Sequence, residues 1–100
     1  MVFDVSKVSG IGEFTEKAEK ERKLFLVGEK VFLVENKNTI EVRCDRKLGK
    51  LLSEKYESVM ESRYYGRGGI EIVNSGQLDA TEVEDLVRLS YNLTAEMEDK

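Results

Sequence analysis

The stretch Arg63-Tyr64-Tyr65-Gly66-Arg67-Gly68-Gly69 gathers two Arg, two Tyr and three Gly in seven positions. These residue types suit contact with nucleic acid. Arg63 and Arg67 could hold phosphates, Tyr64 and Tyr65 could stack on bases or cover a groove, and glycine lets a backbone approach closely. The same residues also make an ordinary inter-strand loop, with one Tyr in the core and two solvated Arg. A single Arg-Gly-Gly is short beside the repeated versions found in RNA-binding tails.

A second cationic set lies upstream. Arg43 belongs to an alternating run, Ile40-Glu41-Val42-Arg43-Cys44, and falls on its exposed face. Arg46, Lys47 and Lys50 follow. Lys47 and Lys50 are three apart and share a helix face. Basic residues oppose the dipole at a helix N-terminus, a mild oddity that fits a functional role. With Arg63 and Arg67 they would make a basic patch; with Glu54 and Glu57 nearby they would make a mixed, solvated surface.

Other chemistry is harder to assemble. The chain has no His, which removes the commonest general base and the commonest metal ligand. Cys44, the single cysteine, shares its strand phase with Ile40 and Val42, so it points into the core and lacks a base to activate it. Glu71, Asp79, Glu82, Glu84 and Asp85 show no metal-ligand spacing, and helix capping or surface roles account for them. Neither Gly-rich stretch opens a helix after a strand, so no dinucleotide or phosphate loop is indicated. The expectation is a protein that is not an enzyme and uses no cofactor and no metal.

The totals set the frame. One hundred residues make one domain, 1–100, able to fold without staples. The net charge of −4 counts against a surface that binds nucleic acid everywhere, and leaves room for a local patch. No apolar run approaches a membrane span, the start lacks a signal-peptide pattern, and a lone cysteine fits the reducing cytoplasm.

The elements that must position these residues read as follows. Residues 10–22 predict a helix: Ile11, Phe14 and Ala18 make a narrow apolar face, Ser9 is the N-cap candidate, and Glu16–Lys20 and Glu19–Lys23 are i,i+4 pairs. Leu24–Val27 and Val31–Val34 predict strands joined at Gly28-Glu29 in a two-residue hairpin. Asn36–Asn38 turns into the strand ending at Cys44. Consecutive apolar residues in the first two strands imply that part of the sheet is covered on both faces. Residues 45–56 predict a helix capped by Asp45, with Gly49 costing about 1 kcal/mol unless something packs closely against it. Residues 58–65 and 69–74 predict two more strands, with a turn at 74–76. Asp79 and Glu82 form an acidic capping box for the last helix, with Leu78 and Val83 as its hydrophobic staple. The order is α-β-β-β-α-β-β-α, an α+β two-layer fold with an antiparallel sheet of about five strands and helices packed on it.

From Gly28 onward the chain resembles the MmcQ/YjbR family, in GEKVFLV, IEVRCDRKLGKLLSEKYESV, IEIV and SGQLDATEVEDLVRLSYNL, about seventy residues in the same order. The resemblance implies a CyaY-like fold and a double-wing DNA-binding arrangement. The family usually carries His, often with Asn-Lys and His-Trp, between its fourth and fifth strands. Here Tyr64, Tyr65, Gly68 and Gly69 stand there instead, so this chain lacks the groups the family uses at that place.

The resulting expectation is a non-enzymatic cytoplasmic binding protein, monomeric and without a membrane segment. By resemblance its partner is DNA, held by Arg43, Lys47, Lys50, Arg63, Tyr65 and Arg67. The rival reading is a protein–protein adaptor using the sheet face or the Tyr-rich loop.

Overall fold

The computed structural model describes residues 5–74 and 77–97. A 3-10 turn at Val5–Lys7 leads into strands β1 (Thr15–Ala18), β2 (Lys23–Val27), β3 (Lys30–Glu35) and β4 (Thr39–Arg43). Helix α1 (Arg46–Lys55) connects these to β5 (Val59–Ser62) and β6 (Gly66–Val73), and helix α2 (Ala80–Met97) closes the chain. The six strands form one sheet in the order β1-β2-β3-β4-β6-β5, every neighbouring pair antiparallel. Helix α2 packs on β3 and β4, and α1 on β5 and β6, all on one side of the sheet. This is the two-layer α+β architecture read from the sequence, with six strands where about five were expected.

Local chemistry explains most of the elements. The β2–β3 turn is Gly28-Glu29, with Gly28 at φ 63° in the left-handed region that favours glycine. The Asp45 carboxylate accepts hydrogen bonds from the amides of Lys47 (3.0 Å) and Leu48 (3.3 Å) and caps α1. At α2 the capping box is reciprocal: the Glu82 amide donates to Asp79 (2.9 Å) and the Asp79 amide to Glu82 (3.1 Å). Leu78 and Val83 are buried beneath it. Of the turn expected at 74–76, residues 75 and 76 lie outside the described residues.

The helix expected over 10–22 is a correction. A helical turn does lead the chain, but at Val5–Lys7, and residues 15–18 pair with β2 as a sheet-edge strand. Two tertiary effects override the helical pattern. Gly10 sits at φ 85°, and Gly12 lies where a Cβ would meet the Tyr91 hydroxyl at 2.9 Å. That hydroxyl donates to the Glu13 carbonyl (2.9 Å) and holds the segment extended. Phe14 then enters the core edge-on to Phe25 and Phe32. The charges pair differently too, Lys23 with Glu16 and Arg22 with Glu19. Ser9 caps no helix; its carbonyl and hydroxyl bond Arg88 of α2.

The main core lies between sheet and helices, with Phe32, Leu33, Ile40, Val42, Ile70, Ile72 and Val87 fully buried. Phe32 is the extra residue of a bulge, since Phe25 pairs with Leu33 and Leu26 with Val31. Both Phe32 and Leu33 therefore face the helices. The opposite sheet face is covered as well: Leu24, Val31 and Val34 form a second cluster packed by Leu26 and Tyr65.

A basic groove beside helix α1, and a loop fastened beneath the sheet

The Arg-Tyr-Gly segment folds back over the second face of the sheet. Tyr65 packs on that cluster and donates its hydroxyl to the Val31 carbonyl (2.9 Å). Burial pushes its phenol well above the ordinary value, with Tyr64 and Glu41 adding to the rise and Arg43 opposing it. Gly69 makes room: a Cβ there would lie 2.5 Å from the Val42 carbonyl and 2.8 Å from the Tyr65 Cβ. Gly69 thus serves the packing of Tyr65.

The loop is fastened by two carboxylates that the alternating pattern assigned to solvent. Glu41 and Glu71 are cross-strand partners, 2 % and 3 % exposed. Glu41 accepts from the Ser62 hydroxyl (2.7 Å), the Tyr64 amide (2.8 Å) and Asn36 Nδ2 (2.9 Å). Burial alone would raise its carboxyl. The bonds from Ser62, Tyr64 and Asn36 and the charge of Arg63 outweigh that and hold it below the usual carboxylate value. Glu71 accepts from Thr39 (2.7 Å) and takes the Arg63 guanidinium through Nε (3.0 Å) and a terminal nitrogen (2.8 Å).

Arg43 is also a correction. It is half-buried rather than on an exposed face. The β3–β4 ladder stops at the Leu33–Val42 pair, which leaves the Val31 and Phe32 carbonyls without β4 partners. Arg43 fills this splay: Nε donates to Thr94 of α2 (3.1 Å), a terminal nitrogen to the Val31 carbonyl (3.3 Å), and the guanidinium lies 4.7 Å from the Tyr65 ring centre. Ser90 supplies a donor to the Phe32 carbonyl and accepts from the Arg43 amide (2.8 Å). Of the six residues read as a nucleic-acid site, Arg43 and Tyr65 are therefore structural, and Arg63 is engaged by Glu71.

The other three meet elsewhere. Lys47, Lys50 and Arg67 line a groove of about 660 Å³ between α1 and the β5–β6 hairpin, together with Arg46. Asp45 and Glu61 are its two carboxylates, so the groove carries an excess of positive charge in a chain of net charge −4. Among the described residues, none of the four cationic side chains makes an ion pair or a hydrogen bond. The other four arginines are all engaged: Arg22 with Glu19, Arg43 as above, Arg63 with Glu71, and Arg88 with Asp85 and Ser9. Gly49 sets the depth of the groove. A Cβ there would meet Ile70 at 3.2 Å and the Cys44 sulfur at 3.3 Å, so its absence lets α1 lie close on β6. Cys44 is buried beneath, its thiol pushed up to about 11 by burial and by Asp45. Arg46 joins the groove without being among the six residues expected from the sequence; its adjacency to Lys47 in the first turn of α1 is the signal that marks it.

No family model matches this chain, and no curated protein does. In structure it is similar to Deinococcus radiodurans protein DR2400, with a DUF419 domain. The TM-score is 0.82 at 16 % identity, over 95 % of this chain and 78 % of that one. DUF419 is the MmcQ/YjbR-type family. At that identity the likeness establishes a shared fold. No helix among the described residues is long and apolar enough to cross a membrane.

Proposed function

We propose that this chain is a small, non-enzymatic, cytoplasmic binding protein of MmcQ/YjbR type that holds nucleic acid by its phosphates in the α1–β6 groove. The carrying observation is that Arg46, Lys47, Lys50 and Arg67 line one groove with no partner of their own, while every other arginine is engaged. An unpaired cation keeps its full attraction for an incoming phosphate, whereas Arg63, although its side chain is 74 % exposed, already has its charge partly compensated by Glu71. The positive end of the α1 dipole adds to the same field. The likeness to a DUF419 protein supports the fold half of this reading.

The test is a salt titration of fluorescent oligonucleotides against the wild type, a Lys50→Ala/Arg67→Ala double variant and Arg63→Ala. Each phosphate neutralised on duplex contributes a slope of about −0.9 to log affinity against log salt. The double variant is expected to flatten the slope by nearly two such steps, and Arg63→Ala to leave it unchanged. Lack of binding near ~100 µM at low salt, where non-specific binders still register, refutes the reading and turns the search to protein partners.

A further inference from the structure

We infer that the α1–β6 groove takes an unpaired nucleotide, a phosphate with a free base edge, rather than the phosphate rail of a duplex. This rests on the reading above and narrows its ligand. The cations do not stand alone in the groove. Glu61 faces it from β5 and Ser53 from α1, over a floor that includes Ile70. The Asp45 carboxylate is turned to the start of α1, which it caps through Oδ2. The Glu61 side chain is exposed and, among the described residues, makes no ion pair or hydrogen bond. A groove meant only for phosphates would lose affinity to such a carboxylate by like-charge repulsion. A ligand with phosphate at one end and N–H donors at the other is served by both signs, and an unpaired base offers those donors on its Watson–Crick edge.

Size and shape agree. A concavity of about 660 Å³ falls in the range of small-molecule sites. One nucleotide fits in this open concavity, whereas a duplex presents a broad convex surface. Among the described residues, no aromatic side chain lines the groove. The base would thus be held by its edge against Glu61, which predicts a preference for base identity that a stacking platform lacks.

The experiment compares a single-stranded oligonucleotide, the matching duplex, a nucleoside monophosphate, ribose phosphate and inorganic phosphate as ligands of the full chain. The probes are used against wild type, Glu61→Gln and Lys50→Ala/Arg67→Ala. Single strand is expected to bind at least fivefold tighter than duplex, and the monophosphate about tenfold tighter than ribose phosphate, the size of one charge-assisted hydrogen bond. Equal preference for strand and monophosphate, per nucleotide, identifies a free nucleotide as a sufficient ligand; a strong preference for the strand identifies the polymer. Glu61→Gln should erase or change the base preference while binding inorganic phosphate no more weakly than wild type. Duplex binding equal to or tighter than single strand, with loss in the Lys50/Arg67 variant, overturns this inference and leaves the phosphate-binding reading intact. An unchanged base preference in Glu61→Gln also overturns it. Failure of every probe removes both.

Discussion

Replacing Glu41 with Gln tests whether a buried carboxylate fastens the Tyr64–Tyr65 loop. The carboxylate accepts three hydrogen bonds, from Ser62, Tyr64 and Asn36. Gln keeps the shape and an acceptor oxygen, while Asn36 can meet the new NH2 group only by turning its amide and giving up its bond to Thr39 (2.9 Å), so charge and one neutral bond are lost. Bonds to charged groups contribute about 1.5–3 kcal/mol and neutral ones about 0.5–1.5 kcal/mol, so three bonds lose about 3 kcal/mol. An opposing effect comes from Glu71, the cross-strand neighbour: relieving two like charges returns up to about 1 kcal/mol. The hydrogen-bond term wins, and a net loss of about 2 kcal/mol is expected at neutral pH. Glu41→Ala, which strands all three donors, is expected to cost about 3–5 kcal/mol.

The sign with pH follows from the lowered pKa. The Glu41 carboxyl titrates below its ordinary 4.5 in the folded chain. Its contribution is therefore complete above that value and is lost as the pH falls through the folded-state pKa. Urea unfolding of wild type and Glu41→Gln across pH 7 to about 3 should show a gap that is full at neutral pH and closes in acid. A gap under about 0.5 kcal/mol at pH 7, within the range of an ordinary surface substitution, would refute the reasoning. So would a gap that stays constant with pH.

Two further outcomes concern the ground beneath the groove. Cys44 is expected to label slowly with a thiol reagent near neutral pH, because it is buried and its thiol is pushed up to about 11; rapid stoichiometric labelling of the folded chain contradicts that. Gly49→Ala gains about 1 kcal/mol of helix propensity but forces a Cβ to 3.2 Å from Ile70 and 3.3 Å from Cys44, an overpacking cost of about 1–3 kcal/mol. A lowered melting temperature is expected, and a raised one shows that α1 can lift off β6 freely.

Much of the fold was legible because its signals were local. Gly28-Glu29 marks a hairpin, Asp45 and Asp79 mark helix starts, and Ile40, Val42 and Cys44 share one phase. The failures have a common physical cause: residues whose surroundings come from distant parts of the chain. Residues 15–18 carry charges spaced for a helix, but Tyr91, seventy-eight positions beyond Glu13, holds the approach extended. Glu41, Arg43 and Glu71 alternate with core residues and so read as a solvent face. Glu41 and Glu71 are buried and Arg43 half-buried because a loop returns over them. One sequence clue pointed that way. Leu24–Val27 and Val31–Val34 have apolar residues in both phases, which requires a second cover. Tyr65 was available to provide it, and Gly69 lets it approach.

The same distinction separates useful from misleading cations. In sequence, Arg43, Arg63 and Arg67 look alike, each a charged residue near a strand end. In the fold, Arg43 finds Thr94, Val31 and Tyr65, and Arg63 finds Glu71. Both are engaged by groups from other parts of the chain, and breaking those contacts opposes any gain from binding an external phosphate. Arg67 makes no such contact and faces α1 across the groove, where Arg46, Lys47 and Lys50 are similarly unengaged. A charge count therefore overstates the unengaged positive charge on the loop side and understates it beside α1. Arg46 and Lys47 stand in the first turn of α1 against its dipole, and among the described residues neither has an ion pair to compensate. An anion bound in the groove would turn that unfavourable arrangement into a favourable one, so the oddity in the first turn of α1 and the unpaired arginine across from it have the same physical reading.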